Sequence, residues 1–427
     1  MRLTECFVLL VAVAAGFATS PAHADEIDAR VIAWRRDFHQ HPELGNQETR
    51  TAARVAEHLR GLGMEVRTGI GVTGVSGVLR GGKPGPRIAI RADMDALPVT
   101  EAVDLPFASK VTTAYRGEAV GVMHACGHDA HVAILMGVAE ELAARRESLS
   151  GEVMFVFQPA EEGPPEIGEV VGAKRMLDEG VFDHFQPSAV LGLHVWSALR
   201  AGEVGVRSGS ILASADEWAI TVRGRQTHGS RPWAGVDPLV VAAQILLGAQ
   251  NITARQVDTV NSPVVLTAGM IKGGVRFNII PDEARMVGTL RTFDAPVRED
   301  VIARLRRTAE HFAAASDATA ELVVANNAPA THNDPALYRR LLPALQQAMG
   351  AEHTIEVPRY TIAEDFSQFA NRVPGFYFFV GATPADQDPA AAPANHSPHF
   401  YLDESALVVG RRAMVAVALK AMGSAAE

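Results

Sequence analysis

Several side chains in this sequence are of the types that hold metal ions, and they come in close sets. Asp93-Met94-Asp95 is the first, Cys126-Gly127-His128-Asp129-Ala130-His131 the second, Glu161-Glu162 the third and His194 the fourth. A distant His396, in Asn395-His396-Ser397-Pro398, can complete the group. In extended backbone, residues two apart face the same side, so Asp93 and Asp95, or Cys126 and His128, can serve one ion. A mixture of thiolate, imidazole and carboxylate suits a borderline metal such as zinc. Five to six such ligands exceed one tetrahedral shell and fit two ions about 3.5–4 Å apart with a water between them. Of two adjacent glutamates after a strand, one can bind metal while the other faces the water as a base. Singly, each element has a plainer reading. Paired glutamates are usually solvated surface, and a lone histidine at a strand end is usually a hydrogen-bonder. His39-Gln40-His41 looks like a ligand pair but sits where Pro42 ends a helix, away from the other sets, and reads as structural. The metal reading rests on the sets occurring together.

The elements that must position these residues follow from hydrophobic periodicity. Arg87 to Ala92, Glu152 to Phe157 and Ala189 to Val195 read as strands, and Gln47 to Leu62 and His131 to Ala144 as helices. This alternation predicts an α/β sheet covered by helices on both faces, with ligands at the carboxyl ends of the strands. The four sets, Asp93-Asp95, Cys126–His131, Glu161-Glu162 and His194, fall at such ends. Near Ser214 the rhythm changes. Strand 217–222, helix 238–252, strands 264–271 and 283–292, helix 297–315 and strand 320–325 spell β-α-β-β-α-β, the ferredoxin-like split motif. The expected division is a leader over 1–24, a catalytic domain over 25–213 and 327–427, and an inserted domain over 214–326. Helix 335–349, strand 375–380 and helix 404–422 complete the larger domain.

With 427 residues and a formal net charge of -10, the chain is long enough for two or three domains and has no run of Lys and Arg to bind nucleic acid. Met1-Arg2, an apolar run from Phe7 to Ala18 and Ala22-His23-Ala24 fit a secretory signal peptide cleaved after Ala24. The apolar run is roughly a dozen residues, short of the ~20 that span a bilayer. The expectation is a secreted or periplasmic protein with no membrane segment in its mature form. Of the two cysteines, Cys6 leaves with the leader, so Cys126 is alone in an oxidising compartment. A bound metal would protect it.

The motifs RADMDALP (91–98), MHACGHDAH (123–131), PAEEG (159–163), GLHV (192–195), EDFSQF (364–369) and NHSP (395–398) occur in a familiar order. In them the chain resembles the aminoacylase and carboxypeptidase-G-like dinuclear metallohydrolases, and within these the branch of hippurate hydrolases and plant auxin-conjugate amidohydrolases. The resemblance covers nearly all of the mature chain. It implies a zinc-peptidase-like α/β catalytic domain with a central mixed sheet flanked by helices, plus an inserted ferredoxin-like α+β domain that acts as lid and dimerisation unit. It also implies two divalent ions per subunit, zinc or manganese, with cobalt or nickel tolerated. Cys126, His128, Glu162, His194 and His396 match the metal ligands, with Cys126 in the bridging place that an aspartate holds elsewhere. Glu161 matches the general base acting on a metal-bridging water, and Asp95 the acidic residue that orients a ligand or tunes the base. Asp93 stands where many relatives outside the branch have a metal-binding histidine and is not counted as a ligand.

In the inserted domain, His228 matches a lid histidine that reaches the partner subunit's site and stabilises the oxyanion. Asn278 and Arg291 match positions that hold a substrate carboxylate. The expected assembly is a homodimer through this domain. Residues 164–171 look like an insertion beside Glu162 and are expected to edge the pocket. The implied activity is cleavage of the amide bond of an N-acyl or N-aroyl amino acid. A metallo-carboxypeptidase or dipeptidase with the same site is the alternative.

Overall fold

The computed structural model describes residues 21–163 and 172–423. Most of the expected leader and the whole 164–171 stretch lie outside these residues. The larger unit is built on an eight-stranded mixed sheet. Its strands lie in the order Glu65–Ile70, Gly74–Arg80, Ser150–Gln158, Lys83–Asp93, Ala189–Arg200, Gly375–Thr383, Val204–Val206, Thr354–Glu356. The four from Ser150–Gln158 to Gly375–Thr383 run parallel, and antiparallel pairs begin on either side of them. Parallel strands are covered on both faces and read as continuous apolar runs. Accordingly, every residue of Gly375–Thr383 is buried.

The cover on one face comes from helices Pro21–Gln40, His128–Ala144 and Ser405–Ala421, whose Val31, Ile134, Leu135 and Val417 join the larger apolar core. Helix His128–Ala144 is apolar nearly all round because it lies between the sheet and its neighbouring helices. Gly137 makes that packing possible. A β-carbon there would fall 2.5 Å from Val31 Cγ2, so the close approach offsets the ~1 kcal/mol that a mid-helix glycine costs relative to alanine. On the opposite face a second core forms around Met176, Phe182, Phe366, Phe369 and Tyr377.

The inserted unit has four antiparallel strands in the order Val265–Gly273, Glu283–Arg291, Ala215–Arg223, Thr319–Ala328, with helices Pro238–Arg255 and Ala295–Ala314. This is the ferredoxin-like arrangement expected from the sequence, with the last strand running two residues past the expected boundary. The first helix starts sharply because Asp237 accepts the Leu239 N–H and Pro238 occupies the first helical position. Trp218, Ile220, Ile245, Met286 and Leu305 form its own core. No helix among the described residues is long and apolar enough to cross a membrane.

Candidate metal centre and catalytic site

The expected ligands meet at the carboxyl ends of the parallel strands. Strand Lys83–Asp93 delivers Asp93 and, just past its end, Asp95; strand Ala189–Arg200 carries His194. Glu161 and Glu162 follow strand Ser150–Gln158 after a turn through Ala160, whose φ of 49° is left-handed. Such a turn is strained for a non-glycine residue and is held from outside. Buried Glu48 accepts the Ala160 N–H at 2.8 Å and the Thr73 hydroxyl at 2.5 Å. Cys126 and His128 flank Gly127, which has φ 85° and precedes helix His128–Ala144. Any side chain at Gly127 would strike Val195, since a β-carbon would lie 2.3 Å from its Cγ2.

The Cys126 sulfur lies 3.3 Å from His194 Nε2 and 3.2 Å from His396 Nε2. His396 Nε2 is also 2.9 Å from Glu162 Oε1. Two ligand groups therefore share one thiol: Cys126, His128 and His194 on one side, and Cys126, Glu162 and His396 on the other. The free ring nitrogens are set by outer partners, as is usual for metal-binding histidines. His194 Nδ1 donates to the Val195 carbonyl at 2.7 Å, which leaves Nε2 facing the thiol. His128 Nδ1 is 3.3 Å from Asp95 Oδ1, within ion-pair range, and both of its ring nitrogens are buried with no hydrogen-bond partner. Asn395 anchors the His396 loop by donating to the Cys126 and Val195 carbonyls at 3.2 and 3.1 Å.

Two neighbouring groupings are closed to an ion. His131 donates from Nδ1 to Asp93 at 2.5 Å and accepts the Val195 N–H at Nε2, so both nitrogens are used. Glu364 and Asp365 sit beside Glu161 but are tied to Arg91 at 2.8 and 2.9 Å, and Tyr377 donates to Glu364 at 2.7 Å. Arg91 also binds Asp93 at 2.6 Å and Gln158 at 2.8 Å. This buried guanidinium, with its Glu364-Asp365 brace, escapes a reading by residue type, because an arginine in a short strand normally reads as exposed. Its flanking apolar residues in RIAIRA were the available signal.

Electrostatics separates the two glutamates. Burial, then the charges of Glu364, Glu162 and Asp365, hold the Glu161 carboxyl well above the usual range. Burial also opposes ionisation of Glu162, but the bond from His396 and the charge of His128 outweigh it and hold that carboxyl low. Such divergence fits different roles for the two carboxyls. Burial, then Glu162 and Glu161, push the Cys126 thiol well above its ordinary value. His128 is pushed up to about 10, since Asp93 and Asp95 outweigh the effect of burial. The carboxyl groups around this centre, Asp93, Asp95, Glu161, Glu162, Glu364 and Asp365, outnumber the guanidinium groups of Arg91 and Arg291. Together with the orphaned His128 Nε2 and the thiol between two imidazoles, that imbalance fits divalent cations.

Cys126, Glu161, Glu162, His194, His396 and Arg291 line one cavity of about 860 Å³. Asp95 and His128 are buried behind it. His228 and Asn278 do not line it; His228 is exposed on a two-stranded ribbon, Thr227–His228 against Ile279–Ile280, and Asn278 sits in the turn just before the second strand.

The sequence profile of peptidase family M20/M25/M40 matches residues 89–420. The chain is 40% identical over 397 residues to thermostable carboxypeptidase 1 of Saccharolobus solfataricus, covering 92% of this chain and 96% of that one. It is 37% identical over 381 residues to an N-acetylcysteine deacetylase of Bacillus subtilis, covering 89% and 93%. Among solved structures, a Bacillus subtilis protein described as a dinuclear metal binding peptidase of the M20 family superposes with a TM-score of 0.77 at 35% identity, covering 94% of this chain and 100% of that one. The chain belongs to peptidase family M20/M25/M40 and is a metal-dependent hydrolase of amide bonds.

Proposed function

We propose that the enzyme hydrolyses N-acyl or N-aroyl amino acids to a free acid and an amino acid. The observation that carries this reading is Arg291. Its half-buried guanidinium lines the same cavity as Glu161 and Cys126, and its one described hydrogen bond is a long one, 3.5 Å, to the Leu290 carbonyl. A cation so poorly engaged suits a substrate carboxylate. Trp196, Leu212, Ile362 and Phe379 line the same cavity and suit an apolar acyl group.

Cys126, His128 and His194 would hold one divalent cation and Cys126, Glu162 and His396 the other; when bound, such ions polarise a carbonyl and lower the pKa of water. Glu161 takes the proton of the attacking water and returns it to the leaving amine. Burial and the neighbouring carboxylates raise its proton affinity, which favours the first of these steps. Asp95, 3.3 Å from His128 Nδ1, orients that ring.

We further infer that two copies pair through the inserted domain, so that His228 of each serves the other's oxyanion, with Asn278 beside it. Support comes from apolar side chains left in water there: Leu247 is 73% exposed on helix Pro238–Arg255, and Ile271 is 48% exposed on the edge strand Val265–Gly273. Export of the mature chain remains the reading of residues 1–24.

A carboxypeptidase activity is the second reading, favoured by the 40% identity to thermostable carboxypeptidase 1. A panel of hippurate, N-acetyl amino acids, indole-acetyl amino acids and dipeptides on the purified enzyme decides between them. The proposal expects the highest kcat/KM among the acyl amino acids, and it fails if dipeptides or longer peptides are preferred.

A further inference from the structure

His39 and His41 stand outside both ligand groups, and they differ from each other. His41 is exposed, just past the helix end, and its Nδ1 meets only Asp37, the carbonyl at 2.8 Å and the carboxylate at 3.5 Å. His39 is buried, and both its ring nitrogens meet carboxylates from distant segments. Nδ1 lies 2.8 Å from Asp129 Oδ2, and Nε2 lies 3.0 Å from Glu101 Oε1. Phe107 closes another side edge-on, with ring centroids 5.7 Å apart. A neutral imidazole has one N–H, so with both carboxyls ionised the two contacts call for the doubly protonated ring.

The two carboxylates lead to different halves of the metal centre. Asp129 follows His128 directly, and it is tied a second time by Arg35 at 2.9 Å. Glu101 has no second cation in ion-pair range among the described residues. Its other oxygen takes the Ser109 N–H at 2.6 Å. The neighbouring Ala102 N–H donates to the Pro398 carbonyl at 2.9 Å, two residues beyond His396. A chain of contacts thus runs from His39 through Glu101, Ala102 and Pro398 to His396. Losing His39 would leave Asp129 held by Arg35 but would leave Glu101 buried without its cation.

We propose that His39 is a positioning residue that holds the His396 loop in register with Cys126, and so prepares the Cys126, Glu162 and His396 half of the centre before an ion arrives. The inference rests on the reading of these side chains as ligands of two ions. Substituting residues that orient metal ligands typically costs 10–100-fold in affinity, and here the loss falls on one ion only.

The test is stepwise Co²⁺ binding to the chelator-stripped full-length protein, followed by calorimetry and absorbance. His39→Ala is expected to weaken one binding step about 10-fold or more and leave the other unchanged. The weakened step is the one that His396→Ala weakens and not the one that His194→Ala weakens. The double variant His39→Ala/His396→Ala should lose little beyond His396→Ala alone, as expected for two residues acting through one path. Glu101→Gln keeps the size and the acceptor for Ser109, and it should give the same selective loss in milder form even where His39→Ala folds poorly. Unchanged affinities with only a lower Tm overturn the proposal, as does equal weakening of both steps. A wild-type chain that binds only one ion overturns the two-ion reading and this inference with it.

Discussion

His396 Nε2 lies 3.2 Å from the Cys126 sulfur, although 270 residues separate them in sequence. With His194 Nε2 3.3 Å away on the other side, the thiol occupies the only position common to both ligand groups among the described residues. Metal loading should therefore strip its proton, overcoming the burial and the Glu162 and Glu161 charges that keep it protonated in the bare protein. Addition of Co²⁺ is expected to produce a thiolate-to-metal absorption band that Cys126→Ser lacks. A band of equal strength in the variant would rule out thiolate ligation at Cys126.

Glu161 and Glu162 should separate by chemistry. Glu161→Gln is expected to keep two ions per chain and lose about 10²–10⁴-fold in kcat, the usual contribution of a positioned base. Glu162→Gln should lose an ion, because an amide replaces an anionic ligand poorly. Elemental analysis beside turnover on the two variants reads this directly, and the opposite pattern would reverse the assignment.

His228 can be tested by complementation. Glu161→Ala and His228→Ala homodimers should each be nearly inactive. Mixed dimers carrying one of each should recover activity at the one site that has both residues intact. Verified mixed dimers with no recovery would mean that His228 serves its own chain or none.

Glu48 makes a prediction about pH. Burial, then the charge of Asp95, raise its carboxyl from 4.5 to about 8 in the folded protein. Between these values the folded chain holds a proton that the unfolded chain has lost, so this group erodes stability as pH rises through the window. Glu48→Gln cannot ionise and still offers an oxygen to Ala160. Its Tm relative to wild type should therefore climb between about pH 5 and pH 8. A pH-independent difference would show that Glu48 ionises normally.

Much of this arrangement was legible in the sequence. Parallel strands reveal themselves as apolar runs, and their ends locate Asp93, Glu161 and His194 without any coordinates. The β-α-β-β-α-β order of the inserted unit was readable because its helices and strands are long enough to show a period. The short strands Val204–Val206 and Thr354–Glu356 are not, since three residues carry no period. Edge strand Glu65–Ile70 and its inner neighbour Gly74–Arg80 were also missed; the first is mostly exposed and lacks an apolar run. The buried Arg91 brace was hidden for a different reason. Its partners Glu364 and Asp365 are more than 270 residues away, and no spacing rule links them. The same holds for His39, whose two carboxylates become partners only once the chain has folded.

Strand Gly375–Thr383 fills the slot between Ala189–Arg200 and Val204–Val206. During synthesis that slot is opened early and filled almost last, after the entire inserted unit has been made. The inserted unit is contiguous in sequence and can close on its own. The larger sheet must wait with two bare strand edges and an unfilled apolar groove. Late closure through distant pairing is slow and invites aggregation. A nascent chain paused or cut before residue 375 would thus carry one finished module on an unfinished platform. Its yield in the cell should depend on whatever shelters those edges until the final strand slides in.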